Sequence, residues 1–184
     1  MAVAGALKLN LIFRLVAVLI AGAFRPRLGI DDSSHVTSFV LPNHLDLNLH
    51  MNNGRYLTVL DLGRLDFLIR AGLVKTFIRR RWQPLIGGTL IRYRFGLRPF
   101  QRFTIVTRVL SWDIKWFYFE QQIITDKGVA AIAISKGLAH DGNETVMPQK
   151  ILKGIGVERP LPIIPAPVAR WLEAEEALHV EHDA

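Results

Sequence analysis

The chain contains no cysteine. That excludes disulfides, thiolate metal sites and cysteine nucleophiles, and it is compatible with a reducing compartment. It also contains no internal repeat and no low-complexity segment, so solenoid and linker architectures do not apply. Acidic residues are the scarcer charge, with 16 Asp and Glu against 23 Lys and Arg. A field of that sign suits an anionic partner: nucleic acid, an anionic membrane or a phosphate-bearing small molecule. No nucleic-acid reading motif accompanies it, so no nucleic-acid partner is expected. Long apolar runs are missing too. The longest near the N-terminus, Leu15–Phe24, falls well short of the ~20 residues a helix needs to cross a bilayer.

Half of the residues are hydrophobic, enough for one folded domain with a substantial core. Residues 1–28 read as an apolar or amphipathic helix. Lys8 and Arg14 interrupt it, which fits a helix lying on a membrane surface or packed on the domain. The small residues Ala21-Gly22-Ala23 leave a cleaved signal peptide open as a third reading.

The domain proper is read over residues 34–150. His35–Leu41 is β-branched and aromatic and predicts a strand. A helix is expected from about Asn53 to Gly72, apolar on most of its circumference and therefore buried. A short amphipathic continuation, Leu73–Arg81, follows it. Four strand-like runs come next: Leu85–Phe95, Phe100–Ser111, Ile114–Thr125 and Val129–Ala139. Gly87 and Gly88 inside the first of these predict a bulge or a close backbone approach. Residues 151–184 read as a proline-rich linker and an accessory helix over Val168–Val180. The order of elements gives an α+β class, one helix wrapped by an antiparallel sheet.

Between the first strand and the helix lies HLDLNLHMNNGRYL, residues 44–57. It gathers Asp46, Asn48, His50, Asn52 and Asn53 just before a helix N-terminus. Such a terminus presents unsatisfied N–H groups and partial positive charge. Gly54 leaves the first turn open to a ligand carbonyl. Asp46 can attack a polarised carbonyl or activate water. Spaced at steps of two, Asn48 and His50 can face the same side of an extended segment as Asp46 and orient it. The structural alternatives are an Asp46 turn bonded to its own backbone, caps at Asn52 and Asn53, and a satisfied His50 at the junction. There is no metal-ligand spacing, no nucleophile-elbow serine and no phosphate loop.

The run Asp46-Leu-Asn48-Leu-His50-Met-Asn52-Asn53-x-x-Tyr56-Leu57, with Asp61-x-x-Arg64 after it, resembles the signature of hotdog-fold acyl thioesterases. The pattern is that of the 4-hydroxybenzoyl-CoA thioesterase-like group. Together with Trp112-Asp113 and Phe117-Tyr118-x-Glu120 it is similar to the thioesterase-superfamily proteins of the mesenchymal-stem-cell-protein type. The resemblance implies a hotdog fold with a long central helix and a five-stranded antiparallel sheet. It also implies a homodimer or dimer of dimers, sheets joined edge to edge, with active sites at the interface. By position it makes Asp46 the catalytic carboxylate, Asn48 and His50 its assistants, and Asn52, Asn53 and Gly54 the oxyanion and substrate-binding site. The implied substrate is a thioester of CoA or acyl-carrier protein, with no separate cofactor and no metal. Arg79, Arg80, Arg81, Arg92 and Arg94 are candidates for its phosphates. Asp61 and Arg64 read more simply as an i,i+3 ion pair. Two departures stand out: Leu49 where the family often has glycine, and Met51 in place of its usual valine. The alternative function is an acyl-binding or membrane-associated module without turnover. The expected location is cytoplasmic, with peripheral attachment to a membrane through the N-terminal helix.

Overall fold

The computed structural model describes residues 15–182, and side chains over 15–178. The expectation of a helix over the first fourteen residues lies outside that range. Residues 15–24 are helical (α1). After them come β1 (Ser34–Phe39), a 3₁₀ turn at Pro42–His44, α2 (Asn53–Arg70), α3 (Leu73–Arg80), β2 (Gln83–Tyr93), β3 (Arg102–Trp112), β4 (Phe117–Thr125), β5 (Gly128–His140), β6 (Thr145–Val146), α4 (Pro148–Lys153) and α5 (Ala166–His182). The sheet is antiparallel in the order β1-β3-β4-β5-β2, and two-residue β6 pairs with β5. This is the hotdog arrangement, with one strand more than expected.

Helix α2 lies in the concave face. Tyr56, Val59, Leu60 and Leu62 pack on Val36, Phe103, Ile105 and Ile123, and on alanines 130, 131 and 133 of β5. Gly63 sits where the helix comes nearest the sheet, and a Cβ there would stand 2.5 Å from Thr107 Oγ1 and 2.6 Å from Ile105. The helix ends at Arg70, and Gly72 adopts the left-handed φ of 77° that starts α3.

The expectation that α2 is apolar nearly all round needs correction. Its buried face includes Arg64 and Asp66, and both are satisfied, as buried polar groups must be. Arg64 is paired with Asp61, and its Nη1 donates to Gln121 Oε1 at 2.5 Å and Ser135 Oγ at 3.1 Å. Asp66, only 1% exposed, accepts from Ser34 Oγ at 2.6 Å and from Arg25 and Arg70 at 3.3 Å each.

Strand β4 starts three residues later than the sequence suggests. The Asp113 carboxylate accepts from the N–H groups of Lys115 and Trp116 at 2.7 and 2.6 Å, holding residues 113–116 in a turn. The register of β2 against β5 shifts between Ile86 and Gly88, the bulge the two glycines imply, and a Cβ on Gly87 would stand 2.3 Å from the Trp116 ring. Helix α5 packs on the opposite side of the sheet through Val168, Trp171 and Leu172, against Tyr118 and Ile134.

Candidate active site

The loop feeding α2 is not extended. The Asp46 N–H donates to His50 O at 2.9 Å, and Leu49 N–H donates to Asp46 O at 3.1 Å. The Asp46 side chain closes the turn from inside: Oδ1 accepts from the Asn48 N–H at 2.9 Å and the His50 N–H at 3.4 Å. Leu49 is held at a left-handed φ of 56°, a conformation that favours glycine. The expected strand-like alternation of Asp46, Asn48 and His50 is therefore replaced by a tight turn. Carboxylate-to-backbone bonds outcompete an extended chain at this spacing.

That turn still gathers the three polar residues. Asp46, Asn48 and His50 line one cleft of about 280 Å³ with Asn53, Tyr56, Tyr93, Arg94 and Gly96. Asp46 Oδ2 has no hydrogen-bond partner among the described residues. The His50 ring lies over Gly96, where a Cβ would stand 2.8 Å from Cδ2.

At the helix start the roles separate. Asn52 is the N-cap, and its Oδ1 accepts from the Gly54 N–H at 2.9 Å. Gly54 N–H is thus occupied, and neither Asn52 nor Gly54 lines the cleft. The Asn53 N–H has no acceptor among the described residues, and Asn53 does line the cleft. Edge strand β2 braces this turn: Tyr93 Oη donates to Asn53 O at 3.1 Å, and its ring meets Tyr56 edge to face at 4.9 Å. Burial pushes both phenols above their ordinary pKa.

Tyr93 and Gly96 carried no individual signal in the sequence. Both reach the cleft only through pairing of β2 with β5, so nothing local could reveal them. Of the arginine candidates, Arg94 lines the cleft, while exposed Arg92 does not. Arg79–Arg81 lie at the far end of α3, and Arg79 lines a separate cleft.

An apolar cavity of about 260 Å³ lies elsewhere, between α2, α3 and strands β2, β4 and β5. Leu65, Leu68, Phe77, Leu85, Phe117 and Phe119 line it, and the Asp61–Arg64 pair is its main polar feature. It shares no lining residue with the Asp46 cleft. Asp61 Oδ1 is paired with the Arg64 guanidinium. Among the described residues no cluster of His, Asp and Glu could hold a metal ion.

A helix wrapped by this sheet, with a carboxylate loop at its N-terminus, defines the class of hotdog thioesterases. The chain belongs to the thioesterase-like superfamily, whose family model matches residues 40–172. It is similar to Protein THEM6 of Xenopus laevis, with 33% identity over 77% of this chain and 68% of that one. Protein THEM6 of Drosophila melanogaster is 32% identical over 91% and 86% of the two chains. Among solved structures, hypothetical protein SAV2348 of Staphylococcus aureus in complex with CoA superposes with a TM-score of 0.61 at 16% identity, covering 76% of this chain and 94% of that one.

Proposed function

We propose that the chain hydrolyses acyl-CoA thioesters, with Asp46 as the catalytic carboxylate. The observation that carries this reading is that one cleft is lined by both Asp46 and Asn53, whose Oδ2 and N–H respectively have no partner among the described residues. Asp46 Oδ2 takes a proton from water as the water oxygen bonds to the thioester carbon. The carbonyl oxygen becomes an oxyanion, and the Asn53 N–H at the positive end of α2 donates to it. Collapse expels the thiolate, which is protonated as the acid is released. Asn48 and His50 orient the attacking water. Arg94, which lines the cleft, is the candidate to receive a CoA phosphate, and CoA is chosen over acyl-carrier protein because a protein of similar fold is known in complex with CoA.

Within one protomer the carboxylate and the apolar cavity are separate, and the edge strand supplies a remedy. Eleven-residue β2 is the end of the sheet, with Leu85, Ile86, Leu90 and Tyr93 exposed. Antiparallel pairing of two β2 edges about Gly88 brings the Tyr93–Arg94 end of one protomer to the Gln83–Ile86 end of its partner. The cleft holding Asp46 then adjoins the partner's apolar cavity, which is suited to the acyl group.

The test is thiol release from a panel of acyl-CoA and acyl-carrier-protein substrates by wild type and Asp46→Asn. The substitution keeps an oxygen for the Asn48 and His50 N–H groups, so the turn survives. The expected loss is about 10²–10⁴-fold, the range for a general base, and equal rates would remove Asp46 from the chemistry. A second reading, an acyl-binding module without turnover, is favoured by the separation of carboxylate and cavity. It is selected if the protein proves monomeric and binds acyl-CoA without releasing thiol.

A further inference from the structure

Helix α1 is docked by one face only. Leu15 lines the apolar cavity, Leu15 and Val18 pack against the core, and buried Gly22 lies against Ile69 and Asp66 of α2. The opposite face carries Val16, Leu19, Ile20 and Phe24, which are 43%, 41%, 57% and 88% exposed. Their spacing forms one stripe along a helix. An apolar stripe of this size on a water-facing helix calls for a partner.

The stripe runs into a cationic cleft. Ala23, exposed between Ile20 and Phe24, lines a cleft of about 390 Å³ with Arg25, Arg27, Arg70, Lys75 and Arg79. Among the described residues the carboxylate that bonds these cations is Asp66, shared by Arg25 and Arg70. Arg27, Lys75 and Arg79 have no acidic partner among the described residues. Ile78, 75% exposed, stands three residues from Lys75 on α3 and extends the apolar surface beside them. The cleft sits at the C-terminal end of α2, roughly 24 Å along the helix from Asn53 at 1.5 Å per residue. The cleft holding Asp46 is therefore not involved.

We propose that the outer face of α1 and this adjoining cleft form a docking surface for an anionic phospholipid bilayer. The apolar stripe enters the interface between headgroups and acyl chains, and the cations receive lipid phosphates. Charge complementarity decides the occupant. A second copy would bring one cationic cleft against another, and a nucleic acid would leave the apolar stripe exposed to water. Among the described residues no helix is long and apolar enough to cross a bilayer, so the attachment lies in the surface plane. It also sets the apolar cavity, lined by Leu15, beside the lipid.

The test is co-sedimentation of the intact chain with vesicles of phosphatidylcholine alone and of phosphatidylcholine mixed with phosphatidylglycerol. Wild type is expected to pellet with the mixed vesicles, more weakly with the neutral ones, and less at high salt. Arg27→Gln/Lys75→Gln should weaken partition onto the mixed vesicles by about five-fold per cation removed, while Arg27→Lys retains it. Ile20→Ser/Phe24→Ser should lose binding to both vesicles with an unchanged melting temperature. Thiol release from a water-soluble acyl-CoA should be the same in all four proteins, which keeps this result separate from the thioesterase reading. Wild type that stays in the supernatant would overturn the proposal. So would variants that pellet as wild type does, since the binding would then come from another part of the chain. A fall in solution mass on Ile20→Ser/Phe24→Ser would assign the stripe to a second copy instead.

Discussion

Helix α2 has an acid near each end, and their surroundings are opposites. Asp66 is sealed in, with one hydroxyl and two guanidinium groups on its oxygens. Asp46, in the loop that leads into the helix, is half-buried, uses one oxygen to close its own turn and leaves the other facing a cleft. A carboxylate saturated by fixed partners holds parts of a fold together. One that keeps an open oxygen can take a proton. If the proposed chemistry holds, Asp66 serves stability and Asp46 serves the reaction, and substitutions should separate the two properties.

The largest stability effect is expected at Asp66. Asp66→Asn removes the charge that gathers Arg25, Arg70 and Ser34, and losing one partner of a buried ion pair costs about 3–5 kcal/mol. Exposure of Arg25 to water, at 42%, points to the lower end. Urea unfolding would read the loss, and activity per folded molecule should stay near wild type. Asp46→Asn should show the reverse, a large loss of rate with little change in the unfolding midpoint. Comparable stability losses in both variants would erase the distinction drawn here.

A second contrast concerns Tyr118, on β4 and far from the cleft. Its hydroxyl donates to Asp113 Oδ2 at 2.6 Å. Burial, then the hydrogen bond and charge of Asp113, push its pKa well above the ordinary tyrosine value. An acid whose folded pKa is raised keeps its stabilising effect below the unfolded pKa, near 10, and loses it as pH rises toward the folded value. Stability should therefore fall above about pH 10. Tyr118→Phe should flatten that alkaline decline while costing about 1.5–3 kcal/mol at neutral pH for the lost hydrogen bond to a carboxylate. Identical alkaline curves for wild type and variant would show that Tyr118 does not govern it.

Much of this architecture was legible in the chain. The apolar positions from Tyr56 to Ile69 announced a buried helix, and Gly87-Gly88 announced the bulge in β2. What stayed hidden was non-local. The Asp61–Arg64 ion pair was legible and is formed, but the burial of Arg64 and Asp66 was not, because their further partners Gln121, Ser135 and Ser34 lie more than 30 residues away in sequence. Strand β6 has two residues and exists only through pairing with Ala139 and His140. At the candidate site the polar residues stood out, and of the two geometries open to them, an extended segment and a turn closed by Asp46, the turn is the one formed. Asp46, Asn48 and His50 alternate as they would along a strand, yet the Asp46 carboxylate pulls two downstream N–H groups onto itself and folds the segment back.

That turn leads to the smallest effect and the sharpest local check. Leu49 stands 66% exposed at a left-handed φ, so it contributes little packing and bears the backbone strain of the turn. For a residue with a Cβ that conformation costs about 1–2 kcal/mol. Leu49→Gly relieves it but frees the unfolded chain, which offsets roughly half. The net expectation is a gain of about 0.5–1 kcal/mol, measured by urea unfolding, with thiol release unchanged because the carboxylate stays where its two N–H partners hold it. If stability falls instead, leucine is not strained there and the turn is not what positions Asp46. If stability rises while the rate drops, the strain itself sets the angle at which the carboxylate meets the cleft, and the opposition between the two acids would have to include a share of stored backbone energy at the reactive one.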